Sequence, residues 1–375
     1  MRAFLLYIIL FFGSSYSALL ANDDSGALKD LNDAAFLAYE SGSDSALVLA
    51  ERFAVAAKGS ESLFEVNAFT LLGILNKDRG FYVSALNNYI KALNTAEALG
   101  DKGRESACLN NIGSIYQLQK KFERAKGYFL RSLSLEDSLD QPLQKSIRYY
   151  NLGDVYKEQD SLEIALTYFN NSLRIEQKLK NDEGVIYALL GIAEVYIAFN
   201  RTTDAALELE KIAQLITPEA TEEQIMFHFL KGKLSFAVGD LNGSIADYKK
   251  ALSLGSQKNF RIHDEKILLG LIDVYREQDD FRSLASTYEK YMNLVEELNN
   301  LTIKNQLEDL TYQNELNKKE LEISMIKEER DLARKNEKLK EDINAYSSRI
   351  IWFLVLAIVG IFAFVFYVVK GISKQ

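Results

Sequence analysis

Residues able to do covalent or metal chemistry are sparse in this chain. Its 375 residues include two histidines and one cysteine. His228 stands four residues before Gly232, where Tyr149 and Leu109 stand before their own glycines, so it reads as a packed core histidine. His263 falls in a link between repeated segments. Two histidines so placed, with Cys108, make no tetrahedral zinc set. Cys108 precedes Leu109 on a helix and reads as a small, half-buried apolar residue. A single cysteine also excludes an intramolecular disulfide framework. No Ser/His/Asp arrangement and no GxxxxGK[ST] phosphate cradle occurs. Catalysis, cofactor and metal are therefore not expected. What remains is non-covalent recognition by side-chain amides, aromatic rings and charges of both signs. The net charge of −9 comes from interspersed acidic and basic residues with no basic stripe, which argues against nucleic acid as a partner.

These groups are carried on a repeat. In NLGDVYKEQDSLEIALTYFNNSL, counting from Gly153, Tyr156 comes at +3, Ala165 at +12, Phe169 at +16, Ser172 at +19 and Leu173 at +20. The same set recurs as Gly113, Tyr116, Ala125, Phe129, Ser132 and Leu133, and as Gly73, Asn76, Ala85, Tyr89, Ala92 and Leu93. Downstream come Ala193, Tyr196, Ala205 and Leu209, then Gly232, Ser235, Ser244, Tyr248 and Ala251, then Ile272, Tyr275, Leu284 and Tyr288. A degenerate upstream copy holds Ala34, Leu37, Ala46 and Ala50. The spacing predicts seven helix pairs over about residues 26–293, with a period near 40. Small residues at +0 and +12 let two helices approach, +3 and +16 fill the space beside the contact, and +19 and +20 face the next unit. A lone pair cannot cover its apolar faces, so pairs must stack. The two prolines fit an all-helical chain. Pro142 sits between units, and Thr217-Pro218 reads as a helix start, with Thr221 and Gln224 as a second start of capping-box type.

In type and order, Leu152, Gly153, Tyr156, Ala165, Phe169 and Ser172 resemble the tetratricopeptide repeat (TPR). The period exceeds the usual 34 residues, which should lengthen both helices of each pair. The resemblance implies an α-solenoid whose first helices line a concave groove. Its inward residues would be Asn110, Asn111 and Ser114 in the third unit and Tyr150, Asn151 and Asp154 in the fourth. Leu190, Glu194, Phe229 and Lys233 follow in the fifth and sixth. Asn111 and Asn151 match the asparagine with which TPR grooves often hold a peptide backbone, a task suited to a group that donates and accepts. A two-basic-residue carboxylate clamp is not evident.

The ends predict membrane attachment. Arg2, the apolar run Ala3 to Phe12 and the small residues that follow read as an export signal over 1–21, cleaved after Ser17 or Ala21 or kept as an anchor. Residues 294–349 form a charged helical stalk without glycine or proline. It is either a dimeric coiled coil with a stutter, or a single helix packing back on the last repeats. Residues 350–369 are twenty in a row without a charge, long enough to span a bilayer, and 370–375 would be a short cytoplasmic tail. Flanking lysines would place the stalk inside, but the export signal acts first and would commit the repeats to the outside.

This order of parts is similar to the sensory half of bacterial membrane-bound TPR regulators. The resemblance implies a membrane-anchored, periplasmic module that binds a protein or peptide, as scaffold or signal input, with a homodimer through the stalk as an option. In such regulators a histidine kinase or helix-turn-helix domain usually follows the span. Here six residues follow Val369. An output domain would be lost, on another chain, or beyond a fragment.

Overall fold

Each repeat closes into a hairpin because its first helix ends in a residue that turns left-handed. The residue at +7 has positive φ in six units: Gly80 (76°), Lys120 (55°), Asp160 (56°), Asn200 (58°), Gly239 (82°) and Asp279 (56°). The amide after each donates back to the carbonyl at +3, as in Lys121 to Tyr116, Ser161 to Tyr156 and Arg201 to Tyr196. That bond satisfies an orphan carbonyl and aims the chain back along the helix it has just left.

The structure is a computed structural model. It describes residues 24–136, 139, 141–257, 261, 263–314 and scattered positions from 318 to 360. The helices are α1 Asp24–Glu40, α2 Ala46–Ala57, α3 Leu63–Asp78, α4 Tyr82–Leu99, α5 Lys102–Leu118, α6 Phe122–Glu136 and α7 Pro142–Glu158. They continue as α8 Leu162–Leu179, α9 Asp182–Ala198, α10 Thr202–Leu215, α11 Thr221–Ala237, α12 Leu241–Gln257 and α13 Asp264–Glu277. Residues 281–314 are helical throughout, and α14 denotes 281–309 of them. Among the described residues there is no strand. The chain divides into two compact units, Met1–Asp309 and Leu310–Gln375. In the first, odd and even helices alternate as first and second members of seven pairs, and from α1 to α13 each helix packs on the next.

Glycine placement explains how closely the pairs seat. Phe169 is fully buried, and a Cβ on Gly153 or on Gly191 would lie 2.7 Å from its ring. Tyr248 is held the same way between Gly232 and Gly270. The +16 ring therefore locks its own first helix and the first helix of the next unit with one side chain. Tyr288 at this position, on α14, is 41% exposed. Three core clusters run through the stack, and Ala165, Phe169, Ile192 and Val195 join its two larger ones.

Some details differ from the sequence reading. Leu37 is 67% exposed while Ala35 and Ala38 are buried, so the register of the first helix is shifted by one residue. Ser172 faces Ser146 of its own pair at 2.9 Å, as Ser132 faces Ser106 at 2.8 Å; a buried hydroxyl needs a near partner. Leu173 does pack toward the next unit. Thr217-Pro218 opens no helix: α11 starts at Thr221, without a capping box, and Gln224 Nε2 donates to the Thr217 carbonyl. Among the described residues no helix is long and apolar enough to cross a membrane. The 1–21 signal lies outside the described residues and the 350–369 span largely so; of the 294–349 stalk, 294–314 are described and are helical, while most of the rest lies outside.

Candidate functional site

The first helices α5, α7, α9 and α11 carry the expected inward residues, of which Leu190 and Phe229 are buried. Asn151 Nδ2 donates to Asn110 Oδ1 at 2.9 Å, so two of the predicted groove amides already partner each other. Asn111 is partly exposed beside them, and Ser114 Oγ donates to the Asn110 carbonyl at 3.0 Å. Tyr150 packs against Phe169 and, edge-on, against Tyr187. Burial, and then the nearby Asp154 carboxylate, push its phenol well above the usual range. Leu190 is 3% exposed and belongs to the core between units.

A ladder of charges crosses these helices. The +4 residue of one unit reaches the +1 residue of the next: Gln117 Nε2 to Asp154 Oδ2, and Lys157 Nζ to Glu194 Oε2 at 2.7 Å. Lys157 also holds Asp154 at 2.7 Å, and Lys233 approaches Glu194 Oε1 at 3.3 Å. Burial acts to raise the Glu194 pKa, but Lys157 and Lys233 outweigh it and hold the carboxyl down at about 2. Lys157 is raised well above its ordinary value: desolvation acts against its charge, and Asp154 and Glu194 more than compensate. The polar row is therefore ionised and internally neutralised, the condition under which buried charges are tolerated.

Where the ladder ends, the +4 positions turn apolar. Ile197 and Phe236 replace Gln117 and Lys157, and a cavity of about 410 Å³ opens on the same face. Its apolar wall is Ile197, Phe229, Phe236 and Leu269; Glu194, Lys233, Lys266 and Asp273 supply polar groups. Of the predicted residues, Glu194, Phe229 and Lys233 line it. Lys266, Leu269 and Asp273 stand at the −6, −3 and +1 positions of the seventh unit. Extending the register of α11 by one repeat would have found them.

The chemistry-poor residues also take their places. Cys108 is buried, and burial pushes its thiol up to about 11. His228 is not a purely apolar core residue: its Nδ1 lies 2.9 Å from Asp247 Oδ1 and its side chain is 23% exposed, because the second helix places a carboxylate opposite it. Among the described residues no group of three or more His, Cys, Asp or Glu could hold a metal ion.

Residues 65–136 and 148–179 match models described as tetratricopeptide repeat. The same hairpin continues on either side of those segments, so the chain carries an array of tetratricopeptide-type repeats. No curated protein sequence matches it. Solved structures with a similar fold include the apo form of RapI, at TM-score 0.63 and 15% identity over 73% of this chain and 99% of that one. A Rap protein complexed with competence and sporulation factor gives TM-score 0.58 and 14% identity, covering 72% of this chain and 75% of its own. The apo quorum sensor NprR from B. thuringiensis gives 0.54 and 14%, covering 77% and 83%. At these identities the likeness is one of fold.

Proposed function

We propose that the concave face of α9, α11 and α13 binds an extended segment of a protein or peptide partner, and that the chain acts as a scaffold or signal-input module without catalysis of its own. The observation that carries this reading is the cavity at the end of the charge ladder. Ile197, Phe236 and Leu269 offer partly or fully exposed apolar surface over the buried Phe229, and Glu194, Asp273, Lys233 and Lys266 supply charges of both signs. Such a site suits one apolar anchor flanked by backbone amides, with no single charge dominating. Asn111, Asn151 and Asp154 would take the continuing backbone along α5 and α7. The fold relative complexed with competence and sporulation factor is consistent with a ligand seated in such an array.

The same proposal places the repeats outside the cell membrane. The 1–21 signal would deliver them, residues 350–369 would hold them, and 370–375 would stay inside. Within that segment the described side chains Trp352, Leu356 and Ile358 are 67%, 64% and 53% exposed, which supports a lipid-facing role. Pairing of the 294–349 stalk would make a homodimer. A sensor part serving a kinase or helix-turn-helix output is the second reading, favoured by the order of the parts.

Selection of displayed random peptides on the full-length protein tests the binding site. Enriched peptides should carry an aliphatic or aromatic anchor and lose at least tenfold in affinity to Leu269→Arg. Binders indifferent to Leu269→Arg and to Lys233→Glu would remove the cavity from the account. Protease digestion of intact cells tests the topology: repeats cut only after lysis would overturn the external placement.

A further inference from the structure

The last helix continues past its own pair and returns to the second. Second helices α4, α6, α8, α10 and α12 have 14–18 residues. α14 runs on to residue 309, about 43 Å in all at 1.5 Å per residue. Its last buried apolar side chain is Leu294; Leu298, Leu301, Ile303 and Leu307 are 40–65% exposed. The far part of α14 is therefore not held by a core. It is fastened through Asp309. Asp309, 3% exposed, accepts from the backbone amides of Val83 at 3.0 Å and Ser84 at 3.3 Å, and from the Ser84 hydroxyl.

Two features of the second unit are shaped for this contact. α4 begins at Phe81, whose side chain cannot cap a helix. The carboxylate supplied from 225 residues downstream satisfies the orphan amides instead. The preceding turn carries the second feature. Lysine, aspartate and asparagine occupy the left-handed +7 position in four other units, so its φ does not require glycine. At Gly80, however, a Cβ would meet the Asn305 amide nitrogen at 2.5 Å, whereas at Gly239 nothing lies within 4 Å. Ser84 at +11 is likewise 3% exposed, while Ile164 at that position is 46% exposed.

We propose that α14 is a clasp fastening the seventh repeat to the second, and that its release is the movement by which the array opens. The concave cavity is built from the fifth, sixth and seventh units, the last of them fastened by the clasp, so closing the clasp limits how far those units can spread. A polar contact made without an apolar core is one that a competing acidic segment could displace.

Distances between spin labels on Ile90→Cys and Leu301→Cys in the full-length protein test it, with buried Cys108 left in place. The parent should give one narrow distribution. Gly80→Asn, whose side chain is tolerated at positive φ, should shift the distribution to longer, broader distances, as should Asp309→Ala. Gly239→Asn introduces the same residue in the equivalent turn and should leave it narrow, and Asp309→Asn, still able to cap, should do the same. The proposal is overturned if Gly80→Asn and Asp309→Ala both keep the parent distribution, or if Gly239→Asn broadens it as much as Gly80→Asn.

Discussion

Substituting Gly191 by alanine sets two effects of known sign against each other. In an open helix interior, glycine to alanine stabilises by about 1 kcal/mol, because alanine has less backbone entropy to lose. At Gly191 the new methyl would lie 2.7–2.8 Å from three ring atoms of Phe169. Ordinary carbon contact is about 3.5 Å, so ring or helix must retreat by about 0.8 Å. The ring cannot simply swing away, because a Cβ at Gly153 marks the same limit on its other side. Overpacking of this kind costs about 1–3 kcal/mol, so the net expectation is a loss of up to about 2 kcal/mol. Gly127 on α6 is the control: it is exposed, nothing lies within 4 Å, and Gly127→Ala should gain about 0.5–1 kcal/mol. Urea unfolding of the full chain, followed by circular dichroism, reads both. Phe169→Leu should relieve the clash, so the Gly191→Ala penalty should shrink in the double variant. If Gly191→Ala stabilises as much as Gly127→Ala, the one-ring, two-glycine lock between units is wrong.

Three further outcomes follow from single residues. Asn76 is fully buried and neither its Nδ2 nor its Oδ1 has a partner, so Asn76→Leu should be neutral or raise stability by about 1 kcal/mol in thermal melts; a loss above that size would show the amide to be satisfied. Glu194 has a folded pKa of about 2, below its unfolded value, so its contribution is present above pH 4.5 and lost as pH falls toward 2. Glu194→Gln should accordingly cost roughly 2–3 kcal/mol at pH 7, with the gap to the parent narrowing between pH 4.5 and 2; a pH-independent gap would contradict the ion-pair ladder. Ala165 is fully buried, so Ala165→Leu should cost about 1–3 kcal/mol, and a variant as stable as the parent would misplace the repeat phase.

Much of the array was legible because its packing is periodic. The +12 and +16 residues Ala85, Tyr89, Ala125, Phe129, Ala165, Phe169, Ala205 and Leu209 are all buried within 4% of complete. Where one residue type can serve two surroundings, the pattern was mute. Ser172 could face a neighbour or its own pair, and only the position of Ser146 decides. Leu37 was assigned inward by spacing alone, but the small Ala35 and Ala38 take the contact. Leu190 and Phe229 are buried in the core, whereas the placement of Asn110, Asn111, Ser114, Asn151, Asp154, Glu194 and Lys233 on the first helices followed from the register. The turn from polar ladder to apolar cavity at Ile197 and Phe236 did not, because it depends on which +4 side chains meet an ionised partner across the unit boundary. The contact between Asp309 and α4 spans 225 residues and leaves no periodic trace in the sequence.

The central claim is that partners enter at the cavity between α9, α11 and α13. A photoreactive phenylalanine analogue at Leu269, a lining residue that is 40% exposed, reads it directly when a selected peptide is added to the full-length protein. The same analogue at Ile164, 46% exposed on the second helix α8, is the reference. The account predicts peptide crosslinking at Leu269, suppressed by excess unlabelled peptide, and background yield at Ile164. Equal yields at the two positions, or a higher yield at Ile164, would contradict it.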